Sequence, residues 1–138
     1  MRTQKAKKHS VQVAAEADQK IENAISGRFR ERLLSNAKWL KLIPTLVQNA
    51  EKTEQILFKK VQDERIGELF LDEDTTFEYD YWENCFEGIN SLGGFLMFKE
   101  IEYLVFLGDV SGIRAALEQT GQFVLVEEED RLKLLCYR

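Results

Sequence analysis

One stretch, residues 95–107, constrains the fold more than any other part of the sequence. It reads FLMFKEIEYLVFL, and its second half alternates with the two-residue period of a β-strand. Glu100 and Glu102 make one face polar at the start, and this same face turns apolar at Leu104 and Phe106. The other face is apolar throughout, with Ile101, Tyr103, Val105 and Leu107. This pattern predicts a central strand that runs from the rim of a sheet into its core.

A helix is predicted before this strand. It should begin after Ser35, whose hydroxyl can accept hydrogen bonds from the amides of the first turn. Its buried face is marked by apolar residues at helical spacing, namely Trp39, Leu42, Ile43, Leu46 and Val47. Pro44 lies inside this pattern and removes a backbone donor, so we expect a kink or a break near Leu40.

The segments between this helix and residue 95 favour strands. Residues 54–61 have an apolar centre with alternating faces, and residues 68–82 indicate one or two further strands. The clearest two-residue alternation in the chain is the series Phe77, Tyr79 and Tyr81. Residues 84–92 are compatible with a short helix or with a loop.

After the central strand the pattern predicts a short helix at 109–120 and a hairpin formed by residues 122–127 and 131–137. This order predicts an α+β fold, with an antiparallel sheet of about five strands packed by two main helices and an extra N-terminal helix or arm. We expect a single domain at 35–138. Residues 1–34 form a basic arm with a weak apolar stripe at 11–26. One interpretation is a helix that packs on the domain or on a second chain, and the other is a partly disordered tail.

The composition of the chain narrows the kinds of binding partner and the cellular location that we expect. The 138 residues fall in the usual range for one domain, and the net charge of −5 argues against non-specific binding to nucleic acid or to an anionic membrane. No apolar run approaches the length of about 20 residues that a membrane span needs. The basic start is not followed by the apolar core of a secretory signal. Two cysteines make a poor disulfide scaffold, so we expect a reducing, cytoplasmic location.

Strong catalytic and cofactor motifs are missing. His9 is the single histidine, the two cysteines do not have metal-ligand spacing, and no glycine-rich phosphate loop occurs. We therefore expect no cofactor, no metal site and no catalytic residue. A carboxylate pair remains an alternative, formed by Glu78 with Asp80 or by Glu100 with Glu102.

The segment from residue 66 to residue 98 contains no lysine or arginine but eight acids, interleaved with aromatic residues. An acidic surface with aromatic anchors fits a basic protein partner, because the acids steer the encounter and the aromatics supply buried contacts. The predicted partner-binding residues are Asp72, Asp74, Glu78, Tyr79, Asp80, Tyr81, Trp82, Glu100 and Glu102. The alternative is a solvated strand face whose aromatics turn toward the core.

Three segments, SNAKWLKL at 35–42, KEIEYLVF at 99–106 and LKLLCYR at 132–138, resemble a family of small uncharacterised bacterial proteins. The resemblance covers residues 35–138, and Ala37 and Cys136 depart from the family's pattern. No activity can be carried over from the family. Small acidic bacterial proteins often act as immunity proteins that block a toxin, so the resemblance implies an immunity-like inhibitor by analogy alone.

The sequence thus favours a non-enzymatic protein-binding module with a basic partner. Two alternatives of other classes stay open. One is a small carboxylate-dependent enzyme, and the other is a homodimeric structural protein in which residues 11–26 form the interface.

Overall fold

The computed structural model describes the backbone of residues 2–138 and the side chains of residues 15–138. The helices are α1 (Arg2–Arg28), α2 (Asn36–Gln48) and α3 (Val110–Thr120), with short 3-10 turns at Ala50–Lys52 and Phe98–Glu100. The strands are β1 (Thr53–Lys60), β2 (Ile66–Leu69), β3 (Tyr81–Trp82), β4 (Cys85–Glu87), β5 (Phe95–Met97), β6 (Ile101–Gly108), β7 (Val124–Glu128) and β8 (Arg131–Leu135). Among the described residues, no helix has the length and apolar character that crossing a membrane requires.

Five strands form the main sheet in the order β2-β1-β6-β8-β7, and every neighbouring pair is antiparallel. The expected α+β class is confirmed, and β6 lies at the centre as its alternation predicted. A row of paired residues crosses the core face from Gly67 through Phe58, Leu104 and Leu134 to Leu125. Glycine is required at the start of this row, because a Cβ there would lie 2.4 Å from the buried Phe58 ring.

The helix predicted after Ser35 is present as α2. The Ser35 hydroxyl accepts a hydrogen bond from the Lys38 amide at 3.2 Å, and Trp39 is fully buried on the inner face. A break near Leu40, one of the two outcomes expected from Pro44, was wrong, since α2 runs without interruption from Asn36 to Gln48. Pro44 lies on the exposed side, where water can reach the carbonyl that loses its donor, and the buried apolar face on both sides of it holds the helix together.

The strand predicted from the Phe77, Tyr79 and Tyr81 alternation was wrong. Phe77 makes an isolated bridge to Tyr81, and residues 78–80 form a turn in which the Glu78 amide donates to the Tyr81 carbonyl at 2.8 Å. Glu78 has a φ of 80°, which a strand does not contain. Residues 84–92 likewise form no helix, because they include β4 and its turns.

Strands β3, β4 and β5 form a second, small sheet that extends the core beyond the main sheet. Its inner face carries Tyr81, Phe86 and Leu96, all buried. The Phe86 ring packs edge-on against Trp39 of α2, with 5.9 Å between the ring centroids, and against Phe98, with 5.1 Å between the ring centroids. The two sheets therefore share one hydrophobic core, with the Trp39 ring between α2 and the small sheet.

Helix α1 packs on the domain through its C-terminal part. Ile21 is only 3% exposed, and Ala24 and Ile25 pack against the core around it. The expected N-terminal helix is therefore present, and it spans more residues than the stripe at 11–26 predicted. The part of that stripe before residue 15 lies outside the described side chains.

Candidate functional site

Residues 72–80 form an exposed loop that its own acids organise. The Asp72 carboxylate accepts a hydrogen bond from the Asp74 amide at 2.8 Å, and the Asp80 carboxylate accepts one from the Thr76 amide at 2.8 Å. These bonds close two successive turns, because a short acidic side chain can replace a backbone acceptor in a turn. Asp72 and Asp80 therefore act first as structural groups of the loop, while Asp74 and Glu78 point into solvent.

Backbone strain is concentrated at the end of this loop and in the segment that follows it. Within the described chain, four residues other than glycine have a positive φ: Glu78 (80°), Glu83 (42°), Asn84 (73°) and Ile89 (31°). Each such residue costs about 1–3 kcal/mol and persists only where the surrounding structure holds it. Strained residues cluster at functional sites in proteins, so segment 78–89 is the first place to look for a function.

The outer face of the small sheet presents aromatic side chains to solvent. Trp82 is 37% exposed and donates from Nε1 to the Glu87 carboxylate at 2.9 Å, while Phe95, paired with Glu87, is 62% exposed. In the adjoining loop Phe77 is 50% exposed and Tyr79 is 81% exposed. Because the inner face of this sheet is packed in the core, its outer side chains stand on a rigid support.

Of the nine residues expected to bind a partner, five lie on the loop 72–80 and a sixth, Trp82, lies on the strand that follows it; the five are Asp72, Asp74, Glu78, Tyr79 and Asp80. Tyr81 does not join them, since its side chain is buried against the rings of Phe77 and Phe86. Sequence reasoning missed Phe95, because the segment around it was read as the approach to a central strand. The Gly93-Gly94 pair before it, with φ of 81° and 68°, was the signal that a separate hairpin strand begins there.

Glu100 and Glu102 are held in internal ion pairs. Glu100 is buried with Lys60 at 3.5 Å, and burial raises the pKa of its carboxyl although the Lys60 charge partly offsets this. Glu102 contacts Lys59 at 3.1 Å and Arg28 at 2.9 Å. Each carboxylate thus has its own basic partners within the fold.

We next consider the other groups near this surface that could take part in catalysis or bind a ligand. Burial raises the pKa of the Cys85 thiol, so it is a weak nucleophile at neutral pH. In the part of the chain with described side chains, no group of three or more metal-ligating residues comes together. A shallow groove of about 170 Å³ runs beside the loop and is lined in part by Phe70, Asp72 and Glu68. Its size fits one side chain of a partner better than a bound substrate.

Comparison with known proteins identified no relative of this chain. No protein-family model, no curated protein and no solved structure matches this chain. The resemblance to a family of small bacterial proteins stays a prediction, and the proposals below depend on the geometry of the molecule alone.

Proposed function

We propose that this protein is a non-enzymatic protein-binding module that docks a basic partner through an acidic aromatic surface. This surface comprises the exposed aromatics and acids of the loop and small sheet: Asp72, Asp74, Phe77, Glu78, Tyr79, Asp80, Trp82, Glu83, Glu87 and Phe95. The observation that carries the proposal is the exposure of four large aromatic side chains on a strained, rigid segment that contains no basic residue.

The aromatics are suited to act as the anchors of an interface. Tyr and Trp are enriched among the residues that dominate binding energy, because they bury much area with few rotatable bonds. Trp82 is already held in one orientation by its hydrogen bond to Glu87. A side chain fixed before binding loses less conformational entropy when the partner arrives, which favours affinity.

The acids are suited to select the partner's charge. Glu78, Glu83 and Asp74 are exposed and have no basic neighbour in sequence from residue 66 to residue 98. A cluster of one sign attracts a basic surface over roughly a Debye length, about 10 Å at 0.1 M salt. The encounter should therefore be fast at low salt and slow at high salt.

The proposal extends to an immunity-like inhibitor that works in the cytoplasm. Support comes from the surface chemistry described above, which fits a basic toxin or enzyme, and from the two free thiols, Cys85 and Cys136, which fit a reducing compartment. The carboxylate-dependent enzyme has less support, since Glu100 and Glu102 are engaged in ion pairs and Asp80 closes a turn.

The test uses the partner that the protein captures from a lysate of its source at low salt. The double variant Glu78→Lys/Glu83→Lys should slow association of the purified partner about tenfold or more and flatten its salt dependence, because long-range attraction is lost. Trp82→Ala should instead raise the dissociation rate, since it removes a buried anchor. Rapid-mixing kinetics separates the two effects.

The matched control is Glu51→Lys/Glu64→Lys, which makes the same charge change at exposed acids outside the surface. Circular dichroism should give the same spectrum for both double variants. If the control slows association as much as Glu78→Lys/Glu83→Lys does, the effect is one of net charge, and the proposed surface is wrong.

A further inference from the structure

The two edges of the main sheet differ, because the edge at β2 is covered by other residues and the edge at β7 is open. At β2 the edge is covered by residues 89–91, since Leu69 bridges to Asn90 and the Phe70 amide donates to the Ile89 carbonyl at 2.8 Å. At the other edge, β7 pairs with β8 and with no other described strand. An open edge strand presents unpaired amide and carbonyl groups to any extended chain that approaches it.

The register of the β7–β8 hairpin determines which backbone amides and carbonyls of β7 are free to bond outward. Strands β7 and β8 close on the pair Glu128 and Arg131 across the two-residue turn 129–130. In such a hairpin the closing pair is hydrogen-bonded, and bonded pairs alternate with non-bonded ones. Val124, Val126 and Glu128 therefore bond to β8, whereas the amides and carbonyls of Leu125 and Glu127 point away from the sheet.

A groove lies along this same edge, between β7 and α3. It has a volume of about 340 Å³, with Leu117, Phe123 and Leu125 in its lining and Arg114 and Glu118 beside them. The Leu125 side chain faces α3, because its partner across the ladder is the buried Leu134. A strand added to β7 would place every second side chain in this groove.

The acidic side chains at the β7 edge favour a basic segment over a second copy of this chain as the strand that binds there. Arg114 is already paired with Glu118 at 3.0 Å and with Glu127 at 3.6 Å, so its positive charge is neutralised. The end of the hairpin adds three further exposed acids, Glu128, Glu129 and Asp130. A basic residue near that end gains attraction, while a second copy of this chain would bring its own acidic hairpin and a further net charge of −5.

We propose that the β7 edge binds an extended segment of a partner protein by strand addition. Apolar side chains of the segment enter the groove at alternate positions, its backbone bonds to Leu125 and Glu127, and its basic residues meet the acidic hairpin end. The site does not depend on the acidic aromatic surface, since the small sheet adjoins the opposite edge of the main sheet through Leu69 and Asn90. The protein thus has two separate docking sites.

The probe for the test is a capped peptide of seven residues in which lysine alternates with valine. Amide hydrogen exchange of the full chain is followed by NMR with and without the peptide. Exchange at Leu125 and Glu127 should slow about tenfold or more at saturation, while the amides of Val124 and Val126 should be protected already in the free protein. The control is the same peptide with its central valine residues N-methylated, which keeps the charge and removes backbone donors.

Two variants separate backbone bonding from charge. Glu127→Pro removes an outward amide and should weaken peptide binding about tenfold or more, because this edge position tolerates proline without loss of pairing to β8. Glu127→Gln keeps the amide and should weaken binding less. Fluorescence anisotropy of a labelled peptide measures both affinities.

Three results would overturn the proposal. The N-methylated peptide could bind as tightly as its parent, which would make the attraction one of charge alone. Protection could arise at residues 72–87 in place of Leu125 and Glu127, which would place the peptide on the acidic aromatic surface. Protection of Leu125 and Glu127 could also rise with protein concentration in the absence of peptide, and a second copy would then be the occupant.

Discussion

At the scale of single residues, Glu100 links the stability of the fold to pH. Its carboxyl is buried, and its surroundings include Lys60, Lys99 and the Met97 backbone. Burial raises its pKa above the ordinary value of 4.5 despite these favourable neighbours. As pH rises above that ordinary value, the unfolded chain loses this proton first, and the free energy of unfolding must fall until the folded carboxyl ionises as well.

Glu100→Gln should remove this decline, because glutamine carries no proton to lose. We expect the free energy of unfolding of the variant, relative to the parent, to increase as pH is raised from about 4 to about 7. Urea titrations across that range measure it, with Glu54→Gln, the same substitution at an exposed position, as the control. A constant difference between Glu100→Gln and the parent at all pH values would show that Glu100 does not titrate in this window.

Single residues also show which aromatic side chains sequence reasoning placed correctly at the surface and which it did not. Trp82 and Tyr79 were predicted to be surface anchors and are exposed, whereas Tyr81, which belongs to the same alternation, is buried. Alternation alone cannot separate these cases, since a turn with a positive φ at Glu78 changes which side each aromatic faces. The side that each aromatic faces depends on hydrogen bonds that the Asp80 carboxylate and the Tyr81 carbonyl accept, and no sequence pattern specifies these bonds.

At the scale of elements, α1 is attached to the domain by a small apolar contact and several ion pairs. Ile21 is buried, with Ala24 and Ile25 packed beside it, and Lys99 pairs with Asp18 and Glu22 on the same helix. Arg28 adds the contact with Glu102. The partners of these ion pairs on α1 are exposed, so water screens the pairs in part, and burial of Ile21 is the main apolar contribution to the docking of α1.

Ile21→Asp should therefore detach the helix while the sheets stay folded. Loss of one buried isoleucine costs about 2 kcal/mol, which raises the open population of α1 roughly thirtyfold. Cleavage by trypsin after Lys20 and Arg28 should accelerate by a similar factor, because it follows the open population. Asn23→Asp, an exposed position on the same helix, is the matched control. Equal cleavage rates for both variants would show that Ile21 does not hold α1 in place.

The elements that sequence predicted best are those whose signals are local. Helices α2 and α3 have capping side chains, Ser35 and Asp109, in addition to an apolar face of helical period. The small sheet was missed, because its strands have only two or three residues each and are defined by pairing across the turns at 83–84 and 88–94. Periodicity needs longer segments than these to be recognised.

At the scale of the whole molecule, the segment before α2 is joined to the last residues of the sequence. The Leu33 amide donates to the Cys136 carbonyl at 2.8 Å, and Arg32 bridges to Tyr137. Leu34 is buried within the shared core. The domain predicted at 35–138 would lack these contacts.

Two fragments test that boundary. A fragment of residues 35–138 should be less stable than one of residues 29–138 by about 3 kcal/mol or more, from the lost burial of Leu34 and the lost backbone hydrogen bonds. Such a loss is a large part of the usual net stability of a domain, about 5–15 kcal/mol. Urea unfolding of both fragments gives the difference. Equal midpoints would place the boundary at residue 35, as the sequence predicted.

The two tryptophans occupy opposite environments, and this gives the protein two built-in optical reporters. Trp39 is enclosed by the rings of Phe86 and Phe98, and its Nε1 has no hydrogen-bond partner among the described residues. Trp82 stands at the solvent boundary beside Glu87. The fluorescence of a Trp82→Phe protein should therefore follow the integrity of the core. The fluorescence of a Trp39→Phe protein should change only when a partner binds at the proposed surface, so the two variants separate folding from the proposed binding without an added dye.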